Sequence, residues 1–70
     1  MSRFDPHRYT FTFYTEDGGK SSIELLQESD RQAINVGYTR LYLVQQAIGV
    51  MVRNWKDEVI AKIYKQGGVQ

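Results

Sequence analysis

The segment between Arg40 and Arg53 constrains the fold most, because almost every side chain in it is apolar. It runs from Leu41 to Val52 (LYLVQQAIGVMV), and only Gln45 and Gln46 are strongly polar. A helix of this composition is apolar on all sides and is normally buried on all sides. A chain of 70 residues rarely surrounds such a helix by itself. The segment therefore predicts a partner, most simply a second copy of the chain.

The composition also points to self-association as the missing source of stability. A domain of this size rarely gains more than about 3–5 kcal/mol of stability from its core. Small natural domains therefore usually add disulfides, a bound metal ion or self-association. The chain has no cysteine and only one histidine, His7, which argues against disulfides, metal sites and cofactors. We expect one domain over residues 1–70, with loose termini at 1–7 and 67–70.

Two further features of the sequence indicate where in the cell the protein is located. The N-terminal residues lack the apolar stretch of a signal peptide. The run from Leu41 to Val52 is also shorter than the roughly 20 apolar residues that a membrane-spanning helix needs. We therefore expect a cytoplasmic protein that does not interact with membranes.

An N-terminal β-hairpin is predicted from two segments that flank turn residues. The first segment runs from Arg8 to Glu16 (RYTFTFYTE) and is rich in aromatic and threonine residues, which favour strands. The second runs from Lys20 to Leu26 (KSSIELL), and Asp17-Gly18-Gly19 between them is typical of a hairpin turn. The Gly19-Lys20-Ser21 sequence resembles the end of a phosphate-binding loop, but the hairpin interpretation is favoured because a strand follows it.

The register of this hairpin depends on the length of its loop. A two-residue loop at Asp17-Gly18 places Phe13 opposite a serine. A three-residue loop instead pairs Phe13 with Ile23 and Phe11 with Leu25, which gathers the apolar side chains on one face. We therefore predict the three-residue loop, with Gly19 in the left-handed conformation.

A helix is predicted to begin at Asp30, because Ser29 and Gln32 have the spacing of a capping box. Apolar residues and one glycine then recur at near-heptad spacing, which is typical of a helix. They are Ile34, Gly37, Leu41, Val44, Ile48, Met51, Trp55 and Val59.

The helix can be followed as far as Lys65, either unbroken or with a break at Gly37, at Gly49 or near Asn54. The spacing of Asn54 and Asp57 favours a second helix cap there. A competing interpretation makes Asn35 to Leu43 a third strand. The preferred fold class is α+β. It consists of an N-terminal β-hairpin packed on one long or kinked C-terminal helix (ββα or ββαα), completed by homodimerisation.

Two groups of residues are candidates for binding partners. The apolar stripe predicts a self-association surface consisting of Leu41, Val44, Ile48, Met51, Val52 and Trp55. The outer face of the hairpin and a tyrosine pair on the helix predict a binding surface for another protein. This second group consists of Tyr14, Glu24, Tyr38, Arg40 and Tyr42.

No arrangement of residues indicates catalysis. His7 lies near the N-terminus without a partner close in sequence, and neighbouring Asp57 and Glu58 would point in different directions on a helix. We therefore expect a non-catalytic, homo-oligomeric protein–protein interaction module, such as an adaptor, inhibitor or assembly factor. The alternative is a small dimeric regulator that binds nucleic acid through a basic and aromatic C-terminal helix containing Trp55, Lys56, Lys62, Tyr64 and Lys65.

Overall fold

The computed structural model describes residues 6–65, which form a four-stranded antiparallel sheet and one helix. The elements follow in the order β1 (His7–Thr15), β2 (Lys20–Gln27), α1 (Asp30–Leu43), β3 (Ala47–Arg53) and β4 (Val59–Tyr64). The order of the strands in the sheet is β2-β1-β3-β4. Helix α1 therefore carries the chain from edge strand β2, across β1, to β3.

The predicted β-hairpin on a long or kinked C-terminal helix (ββα or ββαα) is wrong, because the helix ends at Leu43. The Val44 N–H still donates to the Arg40 carbonyl oxygen at 3.0 Å, and the chain then turns into β3. The apolar segment is therefore divided between the last turn of α1 and a central strand. A central strand is flanked on both sides by other strands and can also be apolar on both of its faces. The alternative third strand at Asn35 to Leu43 is also wrong, since these residues are helical.

Asn54 organises the turn between β3 and β4 rather than capping a second helix. Its Oδ1 atom accepts hydrogen bonds from the N–H groups of Lys56 and Glu58, both at 2.9 Å. Its Nδ2 atom donates to Glu58 Oε1 at 3.0 Å. Asp57 adopts a left-handed conformation, with a φ of 66°. Asparagine and aspartate favour this local bonding and tolerate this conformation, which explains why the same spacing is compatible with a helix cap and with a turn.

The predicted N-terminal hairpin is confirmed, but its register is shifted by two residues. The ladder pairs Phe11 with Ile23, whereas the prediction paired Phe13 with Ile23. Gly18, with a φ of 89°, takes the left-handed conformation that was predicted for Gly19. The Gly19 N–H instead donates to Thr15 Oγ1 at 3.1 Å, a side-chain bond that strand pairing alone does not predict. Because the shift is an even number of residues, each side chain keeps its predicted face.

The start of α1 agrees with the predicted capping box. The Gln32 N–H donates to Ser29 Oγ at 3.1 Å. The Gln32 Oε1 atom accepts a hydrogen bond from the Glu28 N–H at 3.2 Å. The first bond satisfies an N–H group at the helix N-terminus that has no partner within the helix, and the second holds the residue before the N-cap.

The core lies between α1 and one face of the sheet. Helix α1 contributes Ala33, Gly37 and Leu41, which lie four residues apart and are all buried. Gly37 allows a close approach, because a Cβ atom there would lie 3.0 Å from Val52 Cγ2 and 3.4 Å from Phe11 Cδ2. The remaining buried apolar side chains come from β1 and β3: Tyr9, Phe11, Phe13, Ala47, Val50 and Val52.

The predicted loose termini lie mainly outside the described residues, and His7 is an exception. It belongs to β1, and its ring stacks on the Trp55 ring with centroids 3.8 Å apart. The prediction is therefore wrong for this residue.

Tyr9 connects β1 to the beginning of α1. Its hydroxyl group donates to Asp30 Oδ1 at 2.6 Å. Burial of the side chain, together with the hydrogen bond and the negative charge of Asp30, raises the pKa of Tyr9 from 10.0 to about 12.

The raised pKa of Tyr9 predicts a loss of stability in alkaline solution. The unfolded chain ionises at a pKa of about 10, so this contribution is complete below pH 10 and is lost as the pH rises towards 12. We expect the urea midpoint of the wild type to fall more steeply over this range than that of Tyr9→Phe, in which the other titrating groups are unchanged. Parallel pH profiles for the two proteins would contradict the assignment.

Candidate functional site

The sheet has one face covered by α1 and a second face that no other element covers within residues 6–65. Side chains alternate along each strand, so the register defines the second face. We call it the open face. It consists of Arg8, Thr10, Thr12 and Tyr14 from β1, Lys20, Ser22, Glu24 and Leu26 from β2, Gly49, Met51 and Arg53 from β3, and Lys62 and Tyr64 from β4.

One end of the open face carries two tyrosines on either side of a glycine. Tyr14 is paired with Gly49, and Gly49 is paired with Tyr64. The Tyr64 ring leans over Gly49, since a Cβ atom on Gly49 would lie only 2.7 Å from Tyr64 Cδ1. Met51 and Lys62 form the adjacent row. We call these five residues the tyrosine patch. Four of them, Tyr14, Met51, Lys62 and Tyr64, line a shallow cavity of about 170 Å³ together with Val50.

The charges of the open face are distributed unevenly. Arg8 lies 3.6 Å from Glu24, and Arg53 lies 3.5 Å from Asp57 in the neighbouring turn. Both ion pairs lie towards the end of the sheet away from the tyrosine patch. Within residues 6–65, Lys62 forms no ion pair with a carboxylate. Lys62 therefore gives the tyrosine patch a cation that is available to a ligand.

A second surface is a groove between α1 and β2. Helix α1 packs mainly on β3 and β4, which leaves the inner side of β2 partly uncovered. Apolar side chains dominate this groove of about 230 Å³, and Leu43 is 73% exposed at its edge. We call it the α1–β2 groove. Its lining residues are Phe13, Ser21, Ile23, Arg40, Leu43 and Val44.

The two edge strands of the sheet differ in how well they are protected. Strand β4 has a register shift opposite Val52 and Arg53 and carries Lys62 near its middle. Strand β2 pairs with β1 over its full length without a shift, and its other edge pairs with no strand among residues 6–65. Bulges and lysines reduce pairing with other chains. Strand β2 is therefore the less protected edge, and it borders the α1–β2 groove.

The structure divides the predicted self-association residues among several environments. Leu41 and Val52 are fully buried in the core of a single copy. Met51 belongs to the open face, and Trp55 lies in the β3–β4 turn next to His7. Only Val44 lines the α1–β2 groove. The sixth residue, Ile48, is exposed near the start of β3.

The predicted partner-binding residues also lie on more than one surface. Tyr14 and Glu24 belong to the open face. Tyr38 and Tyr42 are exposed on α1, with their ring centroids 5.1 Å apart. Arg40 lines the α1–β2 groove instead. Sequence reasoning missed the proximity of Tyr14 and Tyr64, because that proximity requires the pairing of both β1 and β4 with β3.

Asp17 has its hydrogen-bond partners within the β1–β2 turn. Hydrogen bonds from the Thr15 hydroxyl and the Gly19 N–H lower the pKa of Asp17.

Within residues 6–65, no group of three or more histidine or acidic side chains is arranged to hold a metal ion. Helix α1, the one helix in this part of the chain, does not have the length and apolar character needed to cross a membrane.

Comparisons with protein-family models, curated proteins and solved structures found no match to this chain.

Proposed function

We propose that the chain is a small, non-catalytic protein–protein interaction module that associates with a second copy of itself through β2 and the α1–β2 groove. The observation that carries the proposal is the position of the less protected strand edge beside an exposed apolar groove. Strand edges of this kind readily pair with other chains. Exposed apolar grooves indicate interaction sites.

Strand β2 is suited to pairing with its own copy. Its charged residues are Lys20 and Glu24, so the strand has no net charge. An antiparallel pairing centred on Ser22 places Lys20 of each copy opposite Glu24 of the other, which is a favourable cross-strand pair. Such pairing also extends the sheet to eight strands and brings the two α1–β2 grooves together. A two-fold contact of this kind is the commonest form of self-association.

The apolar residues of the groove would supply most of the stabilisation. Ile23 and Leu43 lie on its opposite walls and are both exposed in the single copy. Burial of apolar surface contributes about 25 cal/mol per Å², so covering these side chains favours association. The same dimer would leave Tyr38 and Tyr42 on α1 available for adaptor, inhibitor or assembly contacts with another protein.

The oligomeric state of groove variants tests the proposal. We expect light scattering at micromolar concentration to show a dimer for the wild type and a folded monomer for Ile23→Lys and Leu43→Asp, because each variant places a charge in the apolar contact. The matched control is Tyr38→Asp, which changes an exposed residue of α1 that does not line the groove. It should remain dimeric.

Two results would refute this proposed interface. One is a wild type that is monomeric throughout the micromolar range. The other is dissociation of Tyr38→Asp while both groove variants remain dimeric, which would move the contact to the outer side of α1. Circular dichroism of each variant distinguishes dissociation from unfolding.

A further inference from the structure

We infer that the tyrosine patch of the open face binds single-stranded nucleic acid. This inference differs from the predicted basic C-terminal helix, since residues Val59–Tyr64 form strand β4 and not a helix. It goes beyond the proposed self-association, because the pairing of β2 edges leaves the open face uncovered.

The two tyrosines offer stacking surfaces for unpaired bases. Tyr14 and Tyr64 lie on β1 and β4 with β3 between them, so their backbones are about 10 Å apart. Tyr64 is 64% exposed, and one side of its ring rests on Gly49. Its other side is therefore available to a ligand. Aromatic side chains on a sheet surface stack with exposed bases in many proteins that bind single strands.

The charge next to these rings favours a phosphate backbone. Lys62 is exposed in the row beside Tyr64 and forms no ion pair within residues 6–65. The tyrosine patch lies in two rows of neighbouring side chains that run across the sheet. Neither row includes a carboxylate from any of the four strands. Glu16 and Asp17, in the adjoining β1–β2 turn, line a different cavity together with Lys65.

The remaining groups of these rows are small or able to form hydrogen bonds. The hydroxyl groups of Thr12 and Ser22 are 2.9 Å apart, next to Met51 in the same row. The Tyr64 ring occupies the space that a side chain at Gly49 would fill, and the shallow cavity lies between the two tyrosines beside Met51 and Lys62. The bases of double-stranded DNA are already stacked inside the duplex, where the rings of Tyr14 and Tyr64 cannot stack on their faces. The geometry therefore favours single strands.

Fluorescence anisotropy with labelled oligothymidine and oligouridine of about ten nucleotides tests this inference. We expect both single strands to bind more tightly than the corresponding duplex. Comparing the two single strands shows whether DNA or RNA is preferred. Tyr64→Ala and Tyr14→Ala should each raise the Kd about fivefold or more, whereas Tyr64→Phe, which keeps the ring, should bind like the wild type. Tyr38→Ala on α1 is the control for loss of an exposed tyrosine.

A second pair of variants tests the role of Lys62. Lys62→Glu should weaken binding and reduce the slope of log Kd against log salt by about 0.7 or more, as expected for one lost phosphate contact. Lys56→Glu changes the net charge equally but lies in the turn at the opposite end of the sheet. It should preserve more of the affinity. Because Tyr64 packs on Gly49, the thermal midpoint of every variant is measured alongside its binding.

Several outcomes would overturn the inference. They are no binding of either single strand at low salt, tighter binding of the duplex, or equal losses in Lys56→Glu and Lys62→Glu with no effect of the tyrosine variants. NMR shift changes on α1 and in the α1–β2 groove, without changes at Tyr14, Met51 and Tyr64, would also overturn it. These results are independent of the oligomeric state, which light scattering on the same samples records separately.

Discussion

Leu41→Asp is expected to abolish folding of the chain. Leu41 lies in the last turn of α1 and is 0% exposed, packed in the core between the helix and the sheet. An aspartate there places an unpaired charge among apolar side chains, at a cost of several kcal/mol. This cost exceeds the roughly 3–5 kcal/mol that the core of such a small domain supplies. Loss of the far-UV circular dichroism spectrum and of NMR shift dispersion would show the unfolding.

Leu43→Asp is the matched control, because it makes the same substitution two positions later. Leu43 is 73% exposed at the edge of the α1–β2 groove. We expect this variant to remain folded. If Leu43→Asp unfolded the chain and Leu41→Asp did not, the side of α1 that packs on the sheet would be assigned incorrectly.

Phe11→Ala is expected to have the second largest effect. Phe11 is 0% exposed in β1, where it is paired with Ile23 on one side and Val52 on the other. Gly37 of α1 approaches its ring closely. Replacing a buried phenylalanine with alanine typically costs about 3–5 kcal/mol, because it leaves a cavity that the surrounding side chains fill only partly. Most molecules of the variant should be unfolded without urea.

Leu26→Ala provides the comparison for Phe11→Ala. Leu26 lies on the open face of β2 and is 62% exposed. Exposed substitutions usually change stability by less than about 0.5 kcal/mol, so its urea midpoint should stay close to that of the wild type. Similar midpoints for Leu26→Ala and Phe11→Ala would contradict the assignment of the two faces.

Local patterns predicted the first half of the chain well. The N-terminal hairpin, the faces of its side chains and the cap formed by Ser29 and Gln32 all follow from bonds between residues close in sequence. The exact loop of the hairpin did not follow from the pattern, because Thr15 Oγ1 also binds the Gly19 N–H and favours Gly18 as the left-handed residue.

The second half shows why an apolar stripe is ambiguous. Gly37 and Leu41 follow the helical spacing, and both are buried on the side of α1 that faces the core. Val50 and Val52 belong to the same apolar segment as Leu41, but they alternate along β3 and point towards the helix from the sheet. Short apolar runs are compatible with both structures. The β-branched residues and the asparagine turn at Asn54 were the signals that favoured strands.

The candidate surfaces could be predicted only in part. The position of Tyr14 on the outer face followed from the alternation of the first hairpin, but its proximity to Tyr64 depends on pairing between distant parts of the chain. Leu43 of α1 and Ile23 of β2 line one groove only because the chain brings α1 back over the sheet. Long-range pairing is not encoded in local spacing, so neither surface could be assembled from sequence patterns alone.

The crossing of α1 from β2 to β3 also has a consequence for the rate of folding. The two hairpins join neighbouring segments, and isolated hairpins form within about 1–10 μs. The β1–β3 ladder instead joins Phe11 to Val52, near opposite ends of the chain, and its formation closes a loop that contains β2 and α1. Non-local pairing of this kind slows folding because the entropy of loop closure is lost before the contacts form. We therefore expect the meeting of the two hairpins, rather than the formation of either one, to limit the folding rate.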